Sequence, residues 1–197
     1  MAATININCV LSDAVDIAVI LQELRSNKLD VKVDKKISMD NWSWENPQKF
    51  QDVSEIYRLL QNHKIIVINA YLHTFKDFGI YIERCKNKYF YEFWINTDGF
   101  PELDSDVINS QNISFFEKIQ FFILNFVENH IGRFEIISIG NETLFKYKES
   151  IAETIQESDS ALIWMIPKAS ENKMAVSGYS KRNVGSVEVF ITINEQI

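Results

Sequence analysis

The stretch Gly79–Asn96, GIYIERCKNKYFYEFWIN, decides the fold because it contains two alternating runs of apolar residues. The runs are separated by Lys86 and Asn87, and two residues are the length of a tight β-hairpin turn. Residues paired across such a turn share a face of the sheet. The first face is therefore predicted to carry Ile80, Ile82, Arg84, Tyr89, Tyr91 and Phe93. The second face is predicted to carry Tyr81, Glu83, Phe90, Glu92 and Trp94.

The two predicted faces differ in chemistry. The first has the composition of a core with a polar end near the turn. The second mixes large rings with carboxylates, which a dry core avoids because an unpaired buried carboxylate is costly. Aromatic surface with charge at its margin is typical of protein-binding faces. We therefore interpret the second face as a partner-binding surface, and the alternative is that a helix packs over its rings while the two glutamates point past that helix.

An acidic segment follows the hairpin directly. The sequence TDGFPELDSD, residues 97–106, contains a glycine, a proline and four acids, so it is predicted to be an exposed loop. Acidic side chains steer encounters with a cationic surface. We add these acids to the candidate partner-binding surface: Asp98, Glu102, Asp104 and Asp106.

The rest of the chain alternates between predicted strands and helices. Short apolar or alternating runs predict strands at ININCVL, VKV, KIIVINAYL, RFEIISI, ALIWMIP and VEVFITI. Helices are predicted after Ser12, after Asn46-Pro47, through ISFFEKIQFFILNFVENHI and within SIAETIQES. A turn is expected at Gly140-Asn141 and a long polar connection over residues 168–186. Nothing divides the chain, so we predict a single α+β domain over residues 1–197, with a mixed, mostly antiparallel sheet and about four helices packed on it.

Composition narrows the class of partner. A formal net charge of −7 argues against nucleic acid as a partner, because phosphate binding needs clustered lysine and arginine, and it favours a basic protein. The most apolar run is interrupted by charged and polar residues, so no membrane-spanning helix is expected. The first residues lack the charged start of a signal peptide. Cys9 and Cys85 do not form a disulfide framework, so we expect a cytoplasmic protein.

The patterns of catalytic and metal sites do not occur in the sequence. There is no G-x-S-x-G motif, and His63, His73 and His130 are not spaced as metal ligands. Asp104-Ser105-Asp106 resembles part of a calcium loop, but the glycine and the glutamate that such a loop needs do not follow. The basic loop SGYSKRNVGS lacks the spacing of a phosphate-binding loop. We therefore expect no enzymatic activity, no cofactor and no metal.

The chain resembles the small, acidic, aromatic-rich immunity proteins of bacterial polymorphic toxin systems. The resemblance lies in the acidic loop TDGFPELDSD beside the strand KYFYEFWIN, the tryptophan-rich NWSWENPQKF and the late strand ALIWMIP. It implies a cytoplasmic protein that neutralises a cognate toxin by occlusion and without catalysis, and the acidic charge of this chain favours a basic toxin domain. The resemblance is one of general character over the whole chain, so no functional residue is carried over from it.

Two other functions remain open at this point. A small-molecule-binding or enzymatic domain could assemble its site from residues distant in sequence, and a deep pocket that combines His73 or Arg84 with several acids would favour it. A homodimer could form through the same exposed rings.

Overall fold

The structure, a computed structural model, describes residues 4–27, 29, 31–72, 75–98, 100–105, 107–130, 132–168 and 177–192. These residues form an α+β domain, which confirms the predicted fold class. The strands among them are β1 (Thr4–Leu11), β2 (Val31–Met39), β3 (Gln48–Lys49), β4 (Ile65–Leu72), β5 (Phe75–Cys85), β6 (Lys88–Asn96), β7 (Phe134–Leu144), β8 (Asp159–Pro167), β9 (Tyr179–Val184) and β10 (Val187–Thr192). The helices among them are α1 (Ile17–Ser26), α2 (Glu55–Gln61), α3 (Ile113–Asn129) and α4 (Ile151–Glu157).

All ten described strands belong to one open sheet, in the order β3-β2-β4-β5-β6-β1-β7-β8-β10-β9. Every pairing in it is antiparallel. The predicted hairpin is confirmed: β5 and β6 pair with Tyr81 opposite Glu92, and the pairing closes at Cys85 and Lys88 around the two-residue turn. Strand β1 lies between β6 and β7, so the hairpin is placed near the middle of the sheet.

One face of the sheet carries the main core. Helices α1, α2 and α3 bury their apolar sides there against alternate residues of the central strands, including Ile7, Ile80 and Phe93. The predicted first face of the hairpin is buried in this core, except that Arg84 is half-buried at its polar end. Helix α3 has the predicted broad apolar side, and the chain leaves it through Gly132, whose φ of +82° is readily adopted only by glycine.

Among the described residues, the opposite face is covered only in part. Helix α4 packs through Ile151 and Ile155 on a second cluster formed by Val10, Ile136, Ala161, Trp164, Ile166 and Phe190. A third, smaller cluster at the other side of this face contains Met39, Ile65 and Val67. We call the part of this face that carries the second set of hairpin residues the aromatic face; it meets the second cluster at Phe90 and the third cluster at Tyr81. It is defined by Tyr81, Glu83, Phe90, Glu92 and Trp94.

Two predicted helix starts were wrong. Helix α1 begins at Ile17, and its N-cap is Asp16, whose carboxylate accepts a hydrogen bond from Ala18 N at 2.8 Å. Ser12 instead donates from its hydroxyl to the carbonyl of Arg133. Pro47 does not begin a helix but precedes the short strand β3, and α2 begins at Glu55. Pro47 is equally suited to the edge of a sheet, where its missing N–H is no loss.

Two predicted loops also proved to contain strands. Gly140 and Asn141 lie inside β7, where Gly140 is opposite Asn6 of β1. A Cβ on Gly140 would overlap the carbonyl oxygen of Ser160, so this glycine allows a close approach of two strands instead of a turn. In the polar connection, Tyr179–Val184 forms the edge strand β9, whose mostly exposed side chains explain the lack of an apolar pattern.

Candidate functional site

The hairpin residues proposed to bind a partner come together on the aromatic face. Tyr81 is opposite Glu92, Glu83 is opposite Phe90, and Trp94 is opposite Gly79 across the β5–β6 pair. Side chains of directly opposed residues lie on the same face. The face therefore places rings and carboxylates side by side, as the alternation of the sequence indicates.

Three rings form a continuous row on this face. The ring of Trp42 meets that of Tyr81 edge to face, with centroids 5.3 Å apart and planes at 85°. Tyr81 in turn lies against Trp94, with centroids 6.0 Å apart and planes at 31°. The indole Nε1 of Trp42 donates a hydrogen bond of 3.0 Å to the carboxylate of Glu83. A row of one exposed and two half-buried rings, with a carboxylate at its margin, is therefore present on the described surface.

Trp94 owes its position to a glycine on the neighbouring strand. A Cβ on Gly79 would overlap Cε2 and Cζ2 of Trp94, so the indole ring occupies the space that a side chain at this position would fill. The ring is half-buried, and its Nε1 is buried without a hydrogen-bond partner among the described residues. Trp94 is thus packed against the sheet while part of its ring remains at the surface.

An open cleft of about 360 Å³ lies beside this row. The residues that line it are Thr4, Asn6, Tyr81, Glu92, Trp94, Glu142 and Thr143. The Glu92 carboxylate accepts a hydrogen bond of 2.6 Å from Asn6 Nδ2. Burial raises the pKa of the Glu92 carboxyl above its ordinary value, and the hydrogen bond from Asn6 opposes that rise. Burial likewise raises the pKa of the Tyr81 hydroxyl, with a contribution from the nearby Glu92 charge.

The far wall of the cleft is built from an irregular part of the β7–β8 pair. The register shifts between Gly140 and Leu144, and both Glu142 and Ser160 have positive φ, at +47° and +60°. Thr143 Oγ1 donates to the carbonyl of Ser160 at 3.3 Å. Positive φ at a residue other than glycine is unfavourable and persists only where the surroundings enforce it. Gly140 lies close to Ser160, and the Thr143 hydrogen bond to the same carbonyl ties this irregular segment to β8 at the edge of the cleft.

Phe90, the remaining predicted hairpin residue, differs from the others. It stacks on Phe145, with centroids 5.5 Å apart and planes at 17°, and both rings pack on the cluster beneath α4. Its ring is half-buried against Phe145, which lies in the segment just before α4, so it is less accessible at the surface than the ring of Trp42. Tyr81 and Trp94 lie outside that cluster.

The acidic loop lies apart from the aromatic face. Asp98 and Asp104 are exposed and Glu102 is half-buried, but Leu103 between them is buried in the core beneath α1–α3. Asn112 Nδ2 also donates to the Glu102 carbonyl at 3.2 Å, which ties the loop to the start of α3. Asp106 lies outside the described residues. The loop is therefore anchored to the helix-covered side of the sheet, opposite to Tyr81 and Trp94.

The loop of residues 40–46 contributes residues that the sequence analysis did not assign to the site. Trp42 and Trp44 are each 46% exposed, and Trp44 has a φ of +58°. The loop is held by a bond of 2.7 Å from Asn46 Nδ2 to Asp40 and by the ion pair of Asp40 with Lys64. The hydrogen bond from Asn46 and the charge of Lys64 lower the pKa of Asp40. The sequence could have indicated this exposed loop through two tryptophans placed two residues apart in an asparagine-rich segment. The prediction of a helix after Asn46-Pro47 placed no weight on that pattern.

Other residues considered for chemistry lie elsewhere. Arg84 is on the helix-covered side, where its Nη1 donates to Gln61 Oε1 at 2.5 Å. His73 lies outside the described residues. Cys9 is buried in the main core, and burial raises the pKa of its thiol. Within the described ranges, no group of three or more histidine, cysteine, aspartate or glutamate side chains could hold a metal ion. No helix in the described part of the chain is long and apolar enough to cross a membrane.

Neither a protein-family model, nor a curated protein, nor a solved structure is significantly similar to this chain.

Proposed function

We propose that this protein is a cytoplasmic binding protein of the immunity type, which neutralises a basic toxin domain by occluding it with the aromatic face. The observation that carries the proposal is the row of rings formed by Trp42, Tyr81 and Trp94. Tryptophan and tyrosine are the residue types most often found as energetic anchors of protein interfaces. Adjacent exposed rings rimmed by polar residues are the kind of surface that marks protein-binding sites.

Charge supports the same proposal. The row is bordered by Glu83 and Glu92, and the chain as a whole carries a net charge of −7. Complementary charge speeds the encounter with a cationic partner and disfavours acidic ones. The proposed partner is therefore a basic protein domain, and nucleic acid is not proposed.

The bonds within the loop of residues 40–46 indicate that the surface around Trp42 is already formed before a partner binds. Its hydrogen bonds and ion pair hold two exposed tryptophans in place, one of them in an unfavourable backbone conformation. A rigid ring that is already positioned loses little conformational entropy on binding. The open shape of the cleft suits the side chains of a protein surface better than an enclosed substrate.

The proposal is tested with the proteins encoded next to this chain's own gene. Each is expressed alone and together with this protein, and we expect one basic neighbour to arrest growth alone and to be neutralised in the pair. With that neighbour purified, Trp42→Ala and Trp94→Ala should each weaken binding by about 2 kcal/mol, as interface hot spots do. Calorimetric titration measures the affinity.

The matched control is Phe121→Ala. Phe121 is 62% exposed, but it lies on α3, on the other side of the sheet. Its truncation should leave the affinity unchanged. If Phe121→Ala and Trp42→Ala weaken binding equally, the aromatic face is not the interface. If no protein encoded next to the gene is toxic or binds this protein, the immunity function is wrong.

A further inference from the structure

We propose that the cleft receives an arginine side chain of the basic partner, with its guanidinium paired to Glu92 and Glu142 and lying against the rings of Trp94 and Tyr81. The inference rests on the proposed function and specifies what its partner must present. It assigns a role to Glu142 that no sequence pattern indicates.

The cleft has room for one long side chain. Its volume of about 360 Å³ is at the low end of the range of roughly 300 to 1,000 Å³ in which small-molecule pockets fall. The cleft is also open to solvent, so its occupant can enter from the surface of another protein.

The charge of the lining selects a cation. The described residues of the lining include two carboxylates, Glu92 and Glu142, and no lysine, arginine or histidine. Glu92 is half-buried and its hydrogen bond comes from a neutral amide, Asn6 Nδ2, so no cationic side chain pairs with it within the described site. A cationic group placed here would therefore form a charge-assisted hydrogen bond with a partly desolvated carboxylate.

The rings select arginine over lysine. A cation over the face of tryptophan or tyrosine is attracted by the ring, and tryptophan gives the strongest attraction. The planar guanidinium stacks on rings, binds carboxylates with two N–H groups at once and is less strongly hydrated than an ammonium group. Trp94 and Tyr81 supply the rings beside Glu92, and the hydroxyls of Thr4 and Thr143 supply further acceptors.

The walls of the cleft are held in place by the sheet. Asn6 and Glu92 are on paired strands, and the β7 segment that carries Glu142 is tied to β8 by the hydrogen bond of Thr143 to the Ser160 carbonyl. A site that is already formed loses less on binding than one that must be assembled.

The experiment titrates the whole protein with N-acetyl-arginine amide and with its uncharged counterpart N-acetyl-citrulline amide. The indole Nε1–H resonances of the four tryptophans report binding by NMR. Trp164, buried beneath α4, serves as the internal reference. We expect the Trp94 resonance to move with a Kd on the order of 1 mM for the arginine probe, and citrulline to bind about tenfold more weakly.

Two further comparisons sharpen the result. N-acetyl-lysine amide should bind about threefold more weakly than the arginine probe, because its ammonium is more strongly hydrated. Glu142→Gln should weaken the arginine probe about threefold, within the range of an exposed ion pair. The matched control Glu149→Gln removes the same charge from a side chain that is 93% exposed and outside the lining, and should have no effect.

Several outcomes overturn the inference. Equal binding of arginine and citrulline, equal or tighter binding of lysine, or shifts at Trp164 as large as at Trp94 would each do so. These results are separable from failure of the proposed function. If the arginine probe does not bind while a toxic neighbour still binds through Trp42, the face is an interface and the cleft is not its arginine site. If the probe binds and no neighbouring protein does, the cleft binds cations without an immunity role.

Discussion

At the scale of single residues, Gly79 and Trp94 act as a pair. The indole ring lies where a side chain at position 79 would project, so the tryptophan can pack on the sheet only while that position is a glycine. Glycine weakens a strand, and an aromatic ring packed over it from the neighbouring strand offsets part of that cost. The pair therefore links the stability of the hairpin to the position of a ring in the proposed interface.

This pairing predicts a strong coupling between two substitutions. Gly79→Ala should destabilise the protein by about 2 kcal/mol, because the added methyl group displaces the ring. In a Trp94→Ala background the same change should be neutral or slightly stabilising, since alanine is a better strand residue than glycine. Urea unfolding of the four proteins gives the coupling energy.

Phe121→Ala provides the control for that measurement. Its effect should add to that of Gly79→Ala within about 0.5 kcal/mol, as expected for distant sites. If Gly79→Ala costs the same with and without the Trp94 ring, the proposed contact between them is wrong.

At the scale of elements, strand β6 attaches helix α1 to the sheet through one side chain. The Tyr91 hydroxyl accepts a hydrogen bond from Val15 N and donates one to Val15 O, both at 2.9 Å. Val15 lies just before the N-cap Asp16. Burial raises the pKa of Tyr91, so its hydroxyl stays protonated and keeps its donor role. A buried phenol thus satisfies both backbone groups of the residue at which the chain turns into α1.

Removing that hydroxyl should be costly. Tyr91→Phe leaves a buried N–H and a buried carbonyl without their partner, and we expect a loss of about 2 kcal/mol of stability. Hydrogen exchange should accelerate first at the start of α1. Tyr57→Phe removes a hydroxyl from an exposed ring on α2 and should change neither quantity. Equal stability of the Tyr91 and Tyr57 variants would contradict the anchoring role.

At the scale of the whole molecule, the open sheet separates two acidic regions that follow each other in sequence. The carboxylates of the aromatic face lie on one side, and the loop with Asp98, Glu102 and Asp104 is anchored on the other. Exposed charges more than about 10 Å apart are largely screened at 0.1 M salt. Across the sheet, the loop can therefore stabilise a bound partner only weakly, and we expect its charge to act on the salt-dependent rate of encounter.

Neutralising the loop should consequently change only the kinetics of association. With Asp98, Glu102, Asp104 and Asp106 replaced by their amides, the association rate with the toxic neighbour should fall and its salt dependence should flatten. The dissociation rate should stay the same. The contrasting double variant Glu83→Gln and Glu142→Gln should raise the dissociation rate. Stopped-flow mixing at two salt concentrations measures the association and dissociation rates. A faster dissociation of the loop variant would place the loop inside the interface.

The sequence by itself determined the hairpin, the sides on which its residues lie, the long helix and the fold class. These features can be read from the spacing of apolar residues along the chain, because side chains repeat every second residue in a strand and every three to four residues in a helix. It did not determine which parts of the aromatic face are covered. That depended on segments far away in the chain: Trp42 reaches Glu83 across 41 positions, and Asn6 reaches Glu92 across 86. Likewise, Gly140 has the composition of a turn, and only the pairing of β7 with β1 and β8 makes it a point of close contact within a strand. Such contacts are decided by the packing of the whole chain, because a local pattern specifies the direction of a side chain and not what it meets.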